Sequence, residues 1–290
     1  MNIRQPVRAG SFYEASALSC RHHAGKLLAS VEWGQDLPIN LFGGLVPHAG
    51  WAYSGRLAAT VFKALDTRQE LSSIVLLGAD HTGSATAGEV YDSGLWRTPL
   101  GDAPVDEELA SALLASDPRL HANGDAHNHE HSIEVQIPIL QTMNPDIQIV
   151  PIAMAPTTDA AEIGAAIGKT LAKSFPNSTV VGSTDLTHHA GHFPAPGGRG
   201  EQGVKWSVKN DRRLLDLIEQ MAVEKIVPEV AQRGNACGAG AIAATMAACR
   251  ELGATRGICL EHTNSYEIVH AIYPNEPDDT TVGYAAVVFA

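Results

Sequence analysis

The chain has 290 residues, of which 44% are hydrophobic and 18% charged, and its formal net charge is −12. This composition is typical of a soluble globular protein, and since no linker or repeat is apparent we predict one domain spanning residues 1–290. The acidic balance and the lack of a long basic run argue against nucleic acid or a membrane as partner. No segment is typical of a signal peptide or a membrane span, so we expect a cytoplasmic location.

The reactive residue types are unevenly distributed. The four cysteines are scattered and include no Cys-x-x-Cys pair, whereas the 13 histidines are numerous and many cluster at predicted loop positions. This pattern argues against a disulfide framework and against a zinc ribbon. The histidines are therefore the first candidates for chemistry.

The first predicted helix spans residues 16–30, after a Gly-Ser turn and two aromatic residues. Ser16 is suited to cap this helix, because its hydroxyl can accept from a free backbone N–H. Leu18, Leu27 and Leu28 are among its expected apolar positions.

An apolar run at residues 41–46 predicts a buried strand that stops at Pro47, directly before His48. Ser54 is placed to cap a helix that runs on to residue 65. Ligands of open α/β sheets bind outside the carboxyl ends of the strands, so His48 stands where such proteins keep their chemistry. Taken alone, a histidine that caps the turn and packs on Trp51 is the simpler interpretation.

A second buried strand, predicted at residues 73–77, is followed closely by His81. Two histidines at the carboxyl ends of successive parallel strands would converge at one edge of the sheet, within reach of a common metal. Residues 88–105 then predict a hairpin-like excursion, and residues 106–116 a helix.

A polar, histidine-rich segment follows. We interpret His127 and His129 as parts of a solvated loop. For Glu130 and His131 two interpretations stand equal, a solvated loop or partners that orient a metal-bound histidine. If the segment were helical, Glu134 would share a face with Glu130, because the two are four residues apart.

Two further apolar strands are predicted at residues 147–154 and 178–182, with a helix between them. The second of these strands delivers Asp185 and His188 to its carboxyl end. We expect His189 and His192 to lie in a solvent-exposed loop.

Residues 194–203 predict a mobile loop over this edge, and residues 207–221 an amphipathic helix. Cys237 directly precedes a helix of small residues at 239–250, where the helix dipole stabilises a thiolate. This position favours Cys237 as ligand or nucleophile. Residues 257–261 and 282–289 predict the closing strands, which gives an α/β fold with a layered, mixed and largely parallel sheet flanked by helices.

Six blocks of the sequence together resemble the Memo family, whose bacterial and archaeal members are also known as protein B of the AmmeMemoRadiSam system. They span almost the whole chain in the order of the family. The blocks are residues 8–13 (RAGSFY), 47–50 (PHAG), 130–136 (EHSIEVQ), 183–186 (STDL), 237–240 (CGAG) and 282–286 (VGYAA).

The resemblance implies a fold similar to the catalytic subunit of class III extradiol dioxygenases, non-haem iron enzymes that open catechol rings. It implies a metal site made of His48, His81 and Cys237, with Asp185 and His188 beside it. It also implies AmmeMemoRadiSam components as partners, besides a small-molecule substrate or a peptide.

The implied ligand set leaves three functions open. The extradiol enzymes bind Fe(II) through two histidines and a carboxylate, and here the thiolate of Cys237 would replace the carboxylate. A divalent metal is expected, with Fe(II) or copper favoured for an oxidoreductase, and zinc for a hydrolase that activates water. The third alternative is a non-enzymatic binding or signalling protein that retains the pocket.

The candidate catalytic residues are His188, Asp185 and His131. His188 is suited to general acid or base catalysis because histidine titrates near neutrality, and Asp185 is expected either to orient it or to support the metal ligands from behind. The candidate substrate contacts are Glu130, Trp51 and Tyr53.

Overall fold

A mixed sheet of nine strands forms the centre of the protein, and a small sheet of three strands lies apart from it. The structure is a computed structural model that describes residues 2–34, 36–66 and 71–290. The strands are β1 (Ile3–Arg4), β2 (Gly43–Val46), β3 (Ser73–Ala79), β4 (Gly88–Val90), β5 (Leu95–Thr98), β6 (Gly101–Pro104), β7 (Leu120–Ala122), β8 (Gln148–Met154), β9 (Ser178–Ser183), β10 (His188–His189), β11 (Gly257–Asn264) and β12 (Thr281–Phe289).

Helices connect most of these strands. They are α1 (Ala17–Ala29), α2 (Trp51–Asp66), α3 (Glu107–Ser116), α4 (Ile137–Met143), α5 (Ala160–Ser174), α6 (Gly200–Glu219), α7 (Val223–Arg233), α8 (Ala239–Leu252) and α9 (Ser265–Ile272). Among the described residues, no helix combines the length and the hydrophobicity that a membrane span requires.

The large sheet has the strand order β10-β12-β2-β9-β3-β8-β4-β7, with β11 paired to β12. Its centre is parallel, since β2 pairs with β9, β9 with β3, and β3 with β8 in the same direction. Antiparallel pairs flank this centre, β12 against β2 and β4 against β8. The predicted mixed α/β sheet is therefore confirmed, and its central strands read as continuous apolar runs because both of their faces are covered.

The two faces of the sheet are covered by different helices. An added Cβ at Gly43 would lie 2.6 Å from Cys249 Sγ on α8, whereas one at Gly44 would lie 2.5 Å from Val61 on α2. Consecutive residues of a strand point to opposite faces, so α8 and α2 lie on opposite sides of β2. The buried apolar residues form one cluster that extends from the N-terminal segment to β12.

At two points helix α8 packs so closely against neighbouring backbone that only a glycine, which has no side chain, fits there. An added Cβ at Gly164 of α5 would lie 2.1 Å from the carbonyl oxygen of Ala244 on α8. At the start of α8, an added Cβ at Gly240 would lie 2.1 Å from the carbonyl oxygen of Ala155, just after β8. These close approaches fix the start of α8 relative to the sheet.

Two details of the predicted elements are wrong, and a third is confirmed. Helix α2 begins at Trp51, before Ser54, whose hydroxyl donates to the carbonyl of Ala49 (2.9 Å) instead of capping. Leu18 is 83% exposed, because α1 turns Cys20 inward and leaves Leu18 facing solvent. Ser16 does cap α1 as predicted, by accepting from the backbone N–H of residue 19.

Two differences concern the C-terminal half. Helix α6 begins at Gly200, so the last part of the predicted mobile loop at residues 194–203 is helical. Helix α9 lies between β11 and β12, where the sequence suggested no element. The helix is capped by the side chain of Asn264, which accepts from the backbone N–H of Glu267 (2.9 Å).

Glu134 ties the N-terminal segment to the body of the protein. Its buried carboxylate pairs with the buried guanidinium of Arg4, and it accepts from the backbone N–H of Arg8 (2.7 Å) and the hydroxyl of Tyr13 (2.8 Å). Glu134 lies in a short 3-10 turn, so the condition under which it would share a helical face with Glu130 is not met. Because this carboxylate satisfies several donors at once, it holds the segment that follows β1 in place.

We predict that Glu134→Gln lowers the free energy of unfolding by about 3 kcal/mol, because Arg4 then becomes a buried cation without a counter-charge. Denaturant titration measures the change. The matched control is Glu162→Gln, because Glu162 pairs with Arg119 but is 73% exposed, and its loss should cost less than about 1 kcal/mol. Equal stability of the two variants would contradict the anchoring role.

Candidate metal centre

The structure brings the three predicted ligands together at the carboxyl ends of the central strands. His48 follows β2 by two residues and His81 follows β3 by two residues, while Cys237 directly precedes Gly238 at the start of α8. The ligand atoms of the three side chains all lie within 4.8 Å of one another. His48 Nε2 lies 3.2 Å from Cys237 Sγ.

Hydrogen bonding fixes the tautomer of His48. Its Nδ1 lies 2.9 Å from the hydroxyl of Ser183, and that hydroxyl donates to the carbonyl of Ser132 (2.7 Å). Since the single hydroxyl proton is used in this second bond, the hydroxyl accepts from the Nδ1–H of His48. The lone pair of His48 therefore lies on Nε2, the nitrogen that faces Cys237.

Glu130 fixes His81 in the same way. Its fully buried carboxylate accepts from Nδ1 of His81 (3.0 Å) and from the backbone N–H of the same residue (2.7 Å). Of the two interpretations for Glu130, the structure shows the partner that orients a histidine ligand, not the solvated loop. Burial raises the pKa of Glu130, but its hydrogen bond and ion pair with His81 outweigh this and hold it well below its usual range.

Cys237 accepts a hydrogen bond from the backbone N–H of Asp185 (3.2 Å). Burial raises the pKa of the Cys237 thiol, and the hydrogen bond with His81 partly opposes this rise. Burial lowers the pKa of His81, but its hydrogen bonds with Cys237 and Glu130 raise it to about 10. A thiol and an imidazole that compete for protons in this way are the groups that a dication deprotonates on binding.

Asp185 contacts His48, and His188 has a different partner. The Asp185 carboxylate accepts from the backbone N–H of His48 (2.7 Å), and burial raises its pKa to about 7. Nδ1 of His188 lies 2.9 Å from the carbonyl of Leu186, to which it donates. Of the two roles expected for Asp185, the structure therefore shows contact with a candidate ligand and not the orientation of His188. The backbone carbonyl of Leu186 sets the tautomer of His188 and leaves Nε2 as the basic nitrogen.

His131 lies against both candidate histidine ligands. Its ring centroid is 4.8 Å from that of His81 and 5.5 Å from that of His48, and the ring edge meets Phe12 at 5.2 Å. Burial and the nearby charge of His81 lower the pKa of His131 to about 4. The neutral imidazole is thus a hydrogen-bonding group beside the candidate metal.

A cavity of about 780 Å³ opens over the ligands. Tyr53 lines it, as do both candidate histidine ligands. Trp51 is buried outside the cavity, where its indole N–H donates to the carbonyl of Val135 (2.9 Å), and Glu130 lies behind His81 rather than in the wall. The structure thus brings Tyr53, but neither Trp51 nor Glu130, to the surface that a bound molecule would meet.

Sequence reasoning missed much of the cavity wall, which α9 and the segment after it supply. Ser11, Phe12, Val282 and Tyr284 belong to blocks that carry the family resemblance, so the sequence held a signal for these four. The lining residues that were not predicted include Ser11, Phe12, Phe193, Ser265, Tyr266, Val269, Glu276, Asp278, Thr280, Val282 and Tyr284.

Two histidines expected in solvated loops are fully buried. The Nε2 of His127 bonds the carbonyl of Glu89 (2.9 Å), and its ring packs edge-on against Trp96. His189 lies against the Trp206 ring, with centroids 5.2 Å apart. The predictions for His127 and His189 are wrong because tertiary packing covers both segments, whereas His129 and His192 are exposed as expected.

The donor set fits a metal with an open coordination position. Tetrahedral bond lengths place a thiolate sulfur and an imidazole nitrogen on one ion at about 3.5 Å from each other, close to the 3.2 Å between Cys237 Sγ and His48 Nε2. Both histidines also line the cavity, which leaves the remaining position accessible to a small molecule. The arrangement is consistent with a divalent metal held by His48, His81 and Cys237.

Comparisons with known proteins identify the family of the chain. The Memo family model, described as Memo-like protein, matches residues 4–288. The chain is 33% identical over 299 residues to MEMO1 family protein MK0963 of Methanopyrus kandleri. The alignment covers 99% of this chain and 98% of that protein. A MEMO1 family protein of Methanosarcina acetivorans is 32% identical, with 99% of both chains covered. The chain therefore belongs to the Memo family.

We predict that Ser183→Ala lowers the affinity for a divalent metal roughly 10–100-fold, because His48 loses the acceptor that fixes its tautomer. Competition with a chromophoric chelator measures this affinity. Ser207→Ala is the matched control, since the hydroxyl of Ser207 on α6 is buried and has no hydrogen-bond partner among the described residues. Equal affinities in the two variants would show that Ser183 does not orient the ligand.

Proposed function

We propose that the protein is a metal-dependent oxidoreductase that acts on a small organic molecule and holds iron or copper. The observation that carries the proposal is the convergence of two imidazoles and one cysteine sulfur beside a cavity of about 780 Å³ that both imidazoles line. A cavity of this size is typical of sites that enclose a small molecule.

The ligand chemistry favours a redox metal of intermediate softness. As a ligand for copper, a thiolate is more suitable than the carboxylate of the extradiol dioxygenases. Imidazole is a suitable ligand for both copper and iron. When bound, such a metal would supply electron transfer between the substrate and an oxidant. Zinc fits the same donors, so the identity of the metal separates this proposal from a hydrolase.

The residues around the ligands supply proton transfer and positioning. His188 is a suitable general base, because its Nδ1–H is held by the carbonyl of Leu186 and its Nε2 is free to accept a proton. Asp185, with a pKa raised to about 7 by burial, can give or take a proton near neutrality. His131 offers a neutral imidazole to the same part of the cavity.

We also propose that the protein works in the cytoplasm with AmmeMemoRadiSam components. Family membership supports these partners. All four cysteines are free thiols in the structure, which is typical of proteins that work in a reducing compartment.

We predict that protein purified without air carries about one iron or copper ion per chain, and that Cys237→Ala loses it because two imidazoles alone bind weakly. Elemental analysis with oxidation-state spectroscopy measures both. Cys259→Ala is the control, because Cys259 is a half-buried thiol on β11 and not a candidate ligand. Stoichiometric zinc would redirect the proposal to hydrolysis, and a native chain without metal would refute the site.

We predict that His188→Gln lowers kcat for catechol-dependent oxygen consumption roughly 100-fold or more, because the general base is removed. Metal content should not change, since His188 is not among the three candidate ligands. The control is His129→Gln, which removes an exposed histidine outside the cavity. A loss of metal in His188→Gln, or an unchanged kcat, would argue against the assigned role.

A further inference from the structure

The wall of the cavity is aromatic. Rings come from the N-terminal segment, from α2, from the segment after β10, from α9 and from β12. They belong to Phe12, Tyr53, Phe193, Tyr266 and Tyr284. Rings arranged around a cavity favour a flat, aromatic ligand, since they offer stacked and edge-on contacts and the three tyrosines add hydroxyls.

The carboxylates of the wall are Asp185, Glu276 and Asp278. His81 lies at the base of the cavity with a raised pKa, and among the described residues no lysine or arginine lines the wall. Nearby, Arg199 pairs with Asp279 (3.1 Å), and Arg8 lies against the ring of Phe12, with Cζ 4.9 Å from its centroid.

Glu276 and Asp278 lie on the segment between α9 and β12. Asp278 is exposed and accepts from the backbone N–H and the hydroxyl of Thr280 (2.9 and 2.6 Å), while Glu276 accepts from the N–H of Asp278 (3.3 Å). In the described part of the chain, neither carboxylate has a lysine or arginine within ion-pair distance. The imidazole of His192 also lines this part of the wall. The carboxylates are thus available to an external cation.

Resting on the proposed function, we propose that the substrate class is a phenol or catechol that carries a protonated amine. The ring would lie between the aromatic side chains with its hydroxyl toward the histidines, and the ammonium would meet Glu276 and Asp278. A cation in this place also gains from the faces of nearby rings. A phenol with a carboxylate in place of the amine would instead face like charges.

The size of the cavity supports a ligand with a side chain. About 780 Å³ exceeds what a single ring requires and lies within the range of sites for larger organic molecules. The net charge of −12 also favours the approach of a cation over that of an anion. Both observations favour an amine-bearing ring over a simple or acidic catechol.

The test compares two phenols of similar length, tyramine and 3-(4-hydroxyphenyl)propionate, for binding to the metal-loaded full-length chain by calorimetry. We expect tyramine to bind roughly tenfold more tightly or better, with a preference that falls as salt is raised. The double variant Glu276→Gln, Asp278→Asn should lose most of this preference. Its control is the double variant Asp146→Asn, Glu201→Gln, which removes two exposed carboxylates elsewhere and should retain the preference.

Tighter binding of the propionate, equal binding of the two phenols, or no measurable binding of tyramine would overturn the proposed substrate class. The same titrations are repeated on Cys237→Ala, which is expected to lack the metal, and they separate this proposal from the proposed function. A tyramine preference that persists in a native chain without iron or copper would support the amine site and reject the oxidoreductase. Oxygen consumption with an acidic catechol, but not with an amine-bearing one, would do the reverse.

Discussion

Residue 185 joins two of the three candidate ligands, and the rest of the site depends on this contact. Its carboxylate accepts from the backbone N–H of His48, and its own N–H donates to the sulfur of Cys237. Its carbonyl also accepts from the N–H of Cys237 (3.2 Å). These bonds exist because β9, which precedes Asp185, lies between β2 and β3 in parallel register. The order of the central strands thus determines which loops meet.

Two buried carboxylates, four residues apart in the chain, bind two different sets of partners. Glu130 orients His81, and Glu134 holds Arg4, Arg8 and Tyr13. The segment that carries them therefore links the metal ligands to the N-terminal residues, which bring Phe12 to the cavity. Pairing stabilises a buried polar network of this kind, and each carboxylate accepts from several donors at once.

The sequence predicted the centre of the fold better than its periphery. Continuous apolar runs identify β2, β3, β8 and β9 because strands buried on both faces need them, and the reactive residues at their ends follow directly. Burial of His127 and His189 depends on contacts with Trp96 and Trp206, which are distant in the chain. Helix α9 was not predicted from the sequence. It is a short helix between two strands and buries none of its residues fully. The part of the cavity wall that α9 and the segment after it supply could not be predicted for the same reason.

The metal ligands and much of the cavity wall come from different parts of the architecture. His48, His81 and Cys237 extend from the parallel centre of the sheet, whereas Tyr266, Glu276 and Asp278 belong to the excursion between β11 and β12. Because β11 and β12 are already joined by their own antiparallel pairing, we expect changes in the excursion to leave the geometry of the three candidate ligands intact. Evolution can therefore alter what such a scaffold recognises while retaining the chemistry at its base, so relatives with the same three ligands need not share a substrate.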